Sequence, residues 1–87
     1  MYAIITYDVN VERVNKVKKF LRRYLSWVQN SVFEGEVTKA DLEEIKSGLK
    51  DIIDENDDMI VFYILRSEKN LRKEVVGFDK SKMDEII

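Results

Sequence analysis

Residues 27–37 read Trp27-Val28-Gln29-Asn30-Ser31-Val32-Phe33-Glu34-Gly35-Glu36-Val37. The stretch mixes aromatics, amides, a hydroxyl and acids at strand spacing. Phe33 and Val37 share one face, and Val32, Glu34 and Glu36 share the other. A helical pattern lies on either side of it, so its conformation sets the order of strands. One long strand here would make the chain strand, helix, strand, helix, strand. A strand pair folded back on itself would make it βαββαβ. The apolar pattern is equally compatible with both, and Gly35 is a candidate bulge or turn.

Working outward, residues 11–25 carry Val14, Val17, Phe20, Leu21, Tyr24 and Leu25 at the helical period, and Asn10 is a good N-cap. Before that helix, residues 2–7 read as a buried strand rich in Ile, Tyr and Thr. On the other side, Thr38 and Asp41 make a capping-box-like start. The helix that follows runs to about Glu55, with Leu42, Ile45, Leu49, Ile52 and Ile53 on one stripe. Asn56-Asp57-Asp58 ends it. Met59 to Arg66 is a continuous apolar run, the pattern of a central strand covered on both faces. Ser67 to Arg72 reads as a polar loop and Glu74 to Phe78 as a short extra strand. The tail is then polar until Ile86-Ile87. Two helices on one face of a sheet suit this order, and the split middle segment would make it the ferredoxin-like α+β sandwich.

The chain has 87 residues, enough for one domain spanning 1–87, with the C-terminal strand and tail at about 74–87. Folding at this size hides only roughly 60% of the unfolded surface, so a lone protomer is marginal and dimerisation is a natural supplement. There is no cysteine and no histidine. Thiol nucleophiles, disulfides and Cys-type zinc sites are excluded, and the composition fits a reducing cytoplasm. The N-terminus lacks the pattern of a signal peptide, and the longest apolar run is too short to span a membrane. Charge is unevenly placed. Residues 12–23 hold Arg13, Lys16, Lys18, Lys19, Arg22 and Arg23 against Glu12, while residues 34–58 hold ten acids against three lysines. A basic helix opposite an acidic one can bind nucleic acid on one side, although two solvated helix faces would look the same.

Asp8 is the sharpest single residue. It stands at the C-terminal tip of the opening strand, beside a helix start, where α/β folds gather ligands and metals. Asn10 already serves as the cap, which weakens a purely structural reading of Asp8. Without histidine, any hydrolysis would rest on carboxylates and a hard metal ion. Mg²⁺ sites take one or two carboxylates with waters and substrate phosphates, and a two-fold axis near Asp8 would supply a second carboxylate by symmetry. Phe62 and Tyr63 read as packing, since the basic, glycine-containing signature of an RNA-recognition motif is absent. There is no phosphate-cradling glycine loop, Ser-His-Asp set or HExxH.

Three features taken together resemble one family: the strand ending in Tyr7-Asp8, the string Gln29-Asn30-Ser31-Val32-Phe33-Glu34-Gly35, and the apolar strand Val61 to Leu65 closing in Arg66. They are similar to the small CRISPR-associated endoribonucleases, the second core protein of the spacer-acquisition machinery, over about residues 2–78. The resemblance implies a ferredoxin-like protomer in a two-fold homodimer, with Glu74 to Phe78 pairing with the partner's sheet. It implies that Asp8 binds Mg²⁺ at the dimer interface and is the catalytic residue. It points to Tyr7, Phe33 and the basic residues Arg13 and Lys16 as nucleic-acid contacts, and the basic cluster adds Arg22 and Arg23. Trp27 stands where many members carry an arginine. The family is described both as metal-dependent nucleases on single-stranded RNA or double-stranded DNA and as non-catalytic scaffolds bridging integrase dimers. Both functions remain open at this stage, with a toxin-like ribonuclease of related fold as a more distant alternative. The implied partners are a second copy, the CRISPR integrase and nucleic acid, with no membrane.

Overall fold

In the computed structural model, residues 1–85 are described, so Ile86 and Ile87 lie outside the described residues. The middle segment does fold back on itself. Ser26–Gln29 forms β2 and Val32–Glu36 forms β3. Asn30 and Ser31 make the turn between them, with Asn30 at φ 30°, a left-handed value that asparagine tolerates well. The irregularity in the β2–β3 pairing lies between Trp27 and Gln29, so Gly35 is neither the bulge nor the turn. Gly35 sits inside β3 for another reason: a Cβ there would come within 3.2 Å of Leu25 Cδ2.

The remaining elements are β1 (Tyr2–Asp8), α1 (Val11–Leu21), α2 (Lys39–Ile52) and β4 (Met59–Leu65). The strands form one antiparallel sheet in the order β2-β3-β1-β4, giving the ferredoxin-like α+β fold. Helix α1 ends four residues earlier than its apolar period suggests. Arg22–Tyr24 turn instead, and Leu25 drops into the core before β2 begins. Helix α2 stops at Ile52 because Ile53 is already extended as its C-cap. Its N-terminus carries the expected capping box, with Asp41 N–H donating to Thr38 Oγ1 and Thr38 N–H to Asp41 Oδ2.

The core lies between the helices and one face of the sheet. Ala3, Ile5 and Tyr7 of β1 meet Phe33 and Val37, and these meet Val17 and Leu21 of α1 and Ile45 and Leu49 of α2. Neither α1 nor α2 covers the other sheet face. Residue pairing puts Ile4, Thr6 and Asp8 there with Met59, Val61 and Tyr63. This corrects the sequence reading of β4. It is an edge strand, with Met59, Tyr63 and Ile64 exposed, and the central strands are β1 and β3. In the single chain Glu74–Phe78 runs in irregular backbone, with Val75, Val76 and Phe78 exposed. Ser67 caps a short 3-10 turn, Glu68–Asn70, within the expected polar loop.

The two helices meet where Phe20 of α1 packs over Gly48 of α2. A Cβ there would lie 2.1 Å from Phe20 Cζ, and the Phe20 ring is itself held against Tyr24. Gly48→Ala gains about 1 kcal/mol of helix propensity but forces the ring out of place. The expected net effect is a loss of about 1–2 kcal/mol in urea unfolding, relieved when Phe20 is also truncated to alanine. A single variant as stable as wild type would show that the ring swings clear without cost.

Candidate active site

The tip of β1, the first turns of α1 and the β2–β3 turn meet at one corner of the molecule. Asp8 is the last residue of β1 and is exposed on the open sheet face, while Tyr7 before it is buried toward the helices. Tyr7 N–H donates to Ser31 O at 3.1 Å, tying the hairpin turn to the strand tip. Trp27 Nε1 donates to Asn30 O at 3.1 Å and closes that turn from its other side. The result is a cleft of about 280 Å³ lined by Tyr7, Asp8, Val9, Val14, Lys18, Asn30 and Ser31. Among the described residues, Asp8 takes part in no ion pair and no side-chain hydrogen bond. It is a solvent-facing carboxylate with its acceptor oxygens available.

Directly beside the cleft stands a network that holds the corner together. Asp58, just before β4, has its side chain fully buried, and four donors satisfy it. Arg13 Nε reaches Oδ2 at 2.5 Å and Arg13 Nη2 reaches Oδ1 at 3.1 Å. The backbone N–H groups of Asn10 and Asp54 each donate at 2.9 Å. Arg13 also pairs with Asp57 at 3.1 Å and Glu12 at 2.8 Å. The Arg13 guanidinium, and then the two backbone donors, hold the Asp58 carboxyl well below the usual carboxylate range, overcoming the opposing push of burial. The same contacts raise the Arg13 pKa.

The residues proposed from sequence therefore separate. Arg13 spends its guanidinium on three carboxylates, so it serves as a structural clamp and is not available to a phosphate. Phe33 is fully buried and stacks on Tyr7 with ring centroids 6.3 Å apart. A ring in that position packs the core and cannot reach a nucleic acid. Tyr7 is 6% exposed, and its Oη is buried without a hydrogen-bond partner. Burial pushes that hydroxyl's pKa up, and the nearby Arg22 charge pulls it partly back. Lys16, Arg22 and Arg23 are exposed on α1 and the turn after it. The Arg23 guanidinium lies over the Phe20 and Tyr24 rings at 5.7 and 5.8 Å. At the far end of β1 a second cleft, of about 400 Å³, is acidic in character. There Tyr2 is pushed up to about 12, chiefly by burial and then by Glu34 and Glu68, and Lys73 pairs with Glu34.

One carboxylate in the Asp8 cleft is a hard oxygen donor of the kind Mg²⁺ prefers. Among the described residues there is no group of three acids, histidines or cysteines that could hold a metal by themselves. One chain thus brings a single carboxylate to this cleft. No helix among the described residues is long and apolar enough to cross a membrane.

The sequence profile described as CRISPR associated protein Cas2 matches residues 1–73. The chain belongs to the Cas2 family. A Cas2 from Pyrococcus furiosus, named a CRISPR-associated endoribonuclease, is 61% identical over all 87 residues and over its own full length. A second so named, from Archaeoglobus fulgidus, is 62% identical over 92% of this chain and 87% of its own. Among solved structures, a Cas2 crystal structure superposes with a TM-score of 0.85 at 57% identity, covering 93% of this chain and 91% of that one. The Streptococcus pyogenes Cas2 structure at pH 6.5 gives 0.77 at 43% identity, covering 88% and 100%. The Cas2 profile ends at Lys73, short of the exposed segment 74–78.

Sequence reasoning missed Asp58 and Lys18. Asp58 read as part of the helix-ending stretch Asn56-Asp57-Asp58, although an acid abutting an apolar strand is a signal of burial. The Asp58–Arg13 clamp carries a pH signature. A carboxyl whose folded pKa lies below its unfolded value of about 3.9 adds stability that is fully present above that value. The stability is lost as pH falls toward the folded pKa. Asp58→Asn should melt several degrees lower than wild type at pH 7, with the gap closing between about pH 4 and pH 2. Circular-dichroism melting across that range checks it, and parallel curves down to pH 2 would remove the linkage.

Proposed function

We propose that this chain is a metal-dependent endoribonuclease of CRISPR systems that works as a homodimer in spacer acquisition, with Asp8 as its catalytic, metal-holding residue. The observation that carries the reading is the carboxylate of Asp8. It is unpaired among the described residues and sits in a cleft with cationic and hydroxyl neighbours. Relatives at 61 and 62% identity that bear the name endoribonuclease support the substrate class. Asp8 from each of two protomers would hold Mg²⁺. When bound, the ion supplies activation of water and neutralisation of charge on a phosphodiester. The chain's own residues do the rest. The Arg13–Asp58 clamp fixes the start of α1 beside the strand tip, and the Ser31–Tyr7 backbone bond holds the turn opposite it. The exposed Lys16, Arg22 and Arg23 supply cations for the backbone of single-stranded RNA or double-stranded DNA.

A second reading is a non-catalytic scaffold that binds nucleic acid and docks the CRISPR integrase. What favours it is the lack of any histidine as general base, together with the single carboxylate of the cleft. Asp8→Asn separates the two. It keeps shape and removes charge, so fold and dimer survive. Mg²⁺-dependent cleavage of single-stranded RNA should fall at least about a hundredfold, roughly 2.7 kcal/mol of barrier. Wild-type cleavage by the purified variant would make Asp8 a turn residue. Spacer integration that persists in a cleavage-dead variant would favour the scaffold.

The homodimer rests on the open sheet face. Met59 is 61% and Tyr63 55% exposed there, beside half-buried Ile4 and Val61. An obligate interface of at least about 2,000 Å² in total would cover roughly a sixth of each protomer's 6380 Å². It would also place the two Asp8 carboxylates on one shared face. Tyr63→Glu puts a charge into that interface. Sedimentation should show a dimer for wild type at micromolar concentration and a monomer for the variant. A monomeric wild type would remove both the dimer and the paired-carboxylate site.

A further inference from the structure

The basic run on α1 looks uniform in sequence, but the fold sorts it. Arg13 is locked among carboxylates, Arg23 lies over two aromatic rings, and Lys16 and Lys19 are exposed outside the Asp8 cleft. Lys18 is the one cation of the run that lines that cleft. It follows Val14 by one helical turn, and both residues line the cleft opposite the Asn30–Ser31 turn. Lys18 is half-buried, so its stem lies along the cleft wall. Among the described residues it forms no ion pair, with Asp8 or with any other acid. One small cleft therefore holds a carboxylate and an ammonium that do not neutralise each other, together with the amide of Asn30 and the hydroxyl of Ser31.

We propose that Lys18, with Ser31 and Asn30 as neighbouring donors, is the subsite that binds a backbone phosphate of the nucleic acid and sets it against Asp8. Three arguments support it. A phosphodiester oxygen is an acceptor only, so it needs donors, and every polar side chain of the cleft besides Asp8 can donate. The ammonium is a point charge on a flexible stem, suited to a phosphate whose orientation is set elsewhere. The space, about 280 Å³, accommodates a phosphate group together with several waters, each taking about 30 Å³. The donors are also held in place, because Ser31 is tied to β1 and Asn30 to Trp27 by the two hydrogen bonds described above. This inference rests on the nuclease reading for the role of Asp8, but it concerns binding and is testable without cleavage.

The test is binding of a fluorescein-labelled single-stranded RNA by the full chain in EDTA, followed by anisotropy over a salt series. Lys18→Met should weaken binding about tenfold, the scale of one charge-assisted contact. It should also reduce the slope of log K against log salt by about 0.7. Lys18→Arg keeps the charge and should stay within about threefold of wild type. Mn²⁺ binding, read by electron paramagnetic resonance, should be unchanged in both. If Lys18→Met loses the native melting transition, Lys18→Gln takes its place as the neutral variant. Neutral-variant binding within twofold of wild type at an unchanged slope overturns the proposal, and so does an equal loss in Lys18→Arg. Failure of the metal reading shows separately, as wild-type Mn²⁺ binding by Asp8→Asn.

Discussion

The Arg13–Asp58 pair is the constraint on which the rest of this corner depends. Asp58 is a fully buried carboxylate, and a buried charge is tolerable only when paired and hydrogen-bonded. Its partners come from three places: the first turn of α1, the backbone at Asn10, and the chain leaving α2 at Asp54. One side chain therefore fixes where β1 hands over to α1 and where α2 hands over to β4. These are the two connections that flank Asp8. Asp8 is held through its backbone pairing with Met59 at the start of β4, beside this clamp, since its side chain makes no hydrogen bond or ion pair among the described residues.

The clamp also shows why charge counted along a sequence is a poor guide to binding. Six cations between residues 12 and 23 suggest one basic surface. In the folded chain Arg13 faces inward to acids, Arg23 covers aromatic rings, and Lys18 turns toward the strand tip. The helical period points Arg13 and Lys18 to different sides of α1, and the turn after the helix carries Arg23 to a third environment. The acids of α2 and its exit divide in the same way. Asp41 caps the helix, Glu44 meets the Tyr24 hydroxyl, and Asp57 and Asp58 complete the clamp.

The open face of the sheet gives the fold a directional character. Both α-helices lie on one side, and on the second face the C-terminal segment covers only the end near Tyr2 and Glu34, leaving the end with Met59 and Tyr63 open. Its content is apolar at Ile4, Val61, Met59 and Tyr63, and β4 stands at the edge with an unpaired row of backbone groups. A central strand and an edge strand awaiting a partner carry the same apolar signature, which explains why the run Met59 to Arg66 reads as central. The irregular segment 74–78, apolar and exposed, is the same problem on a smaller scale.

Element types and their order were legible along the chain, because periodicity and capping are local properties. Asn10, Thr38 and Asp41 mark their helices without reference to anything distant, and the stripe of Leu42, Ile45 and Leu49 names the core face of α2. The resemblance around Tyr7-Asp8 and Gln29 to Gly35 led to the family and picked out Asp8. Which residues the corner brings together emerged from long-range packing. Phe33 moved from candidate contact to core because β3 lies centrally in the sheet, with the helices covering its ring. Arg13 moved from phosphate contact to clamp because Asp58, forty-five residues away, folds back against it. Lys18 gained a role because the hairpin turn closes the cleft opposite it. Each of these depends on contacts between segments far apart in the chain, and the pattern of one segment does not encode the position of another.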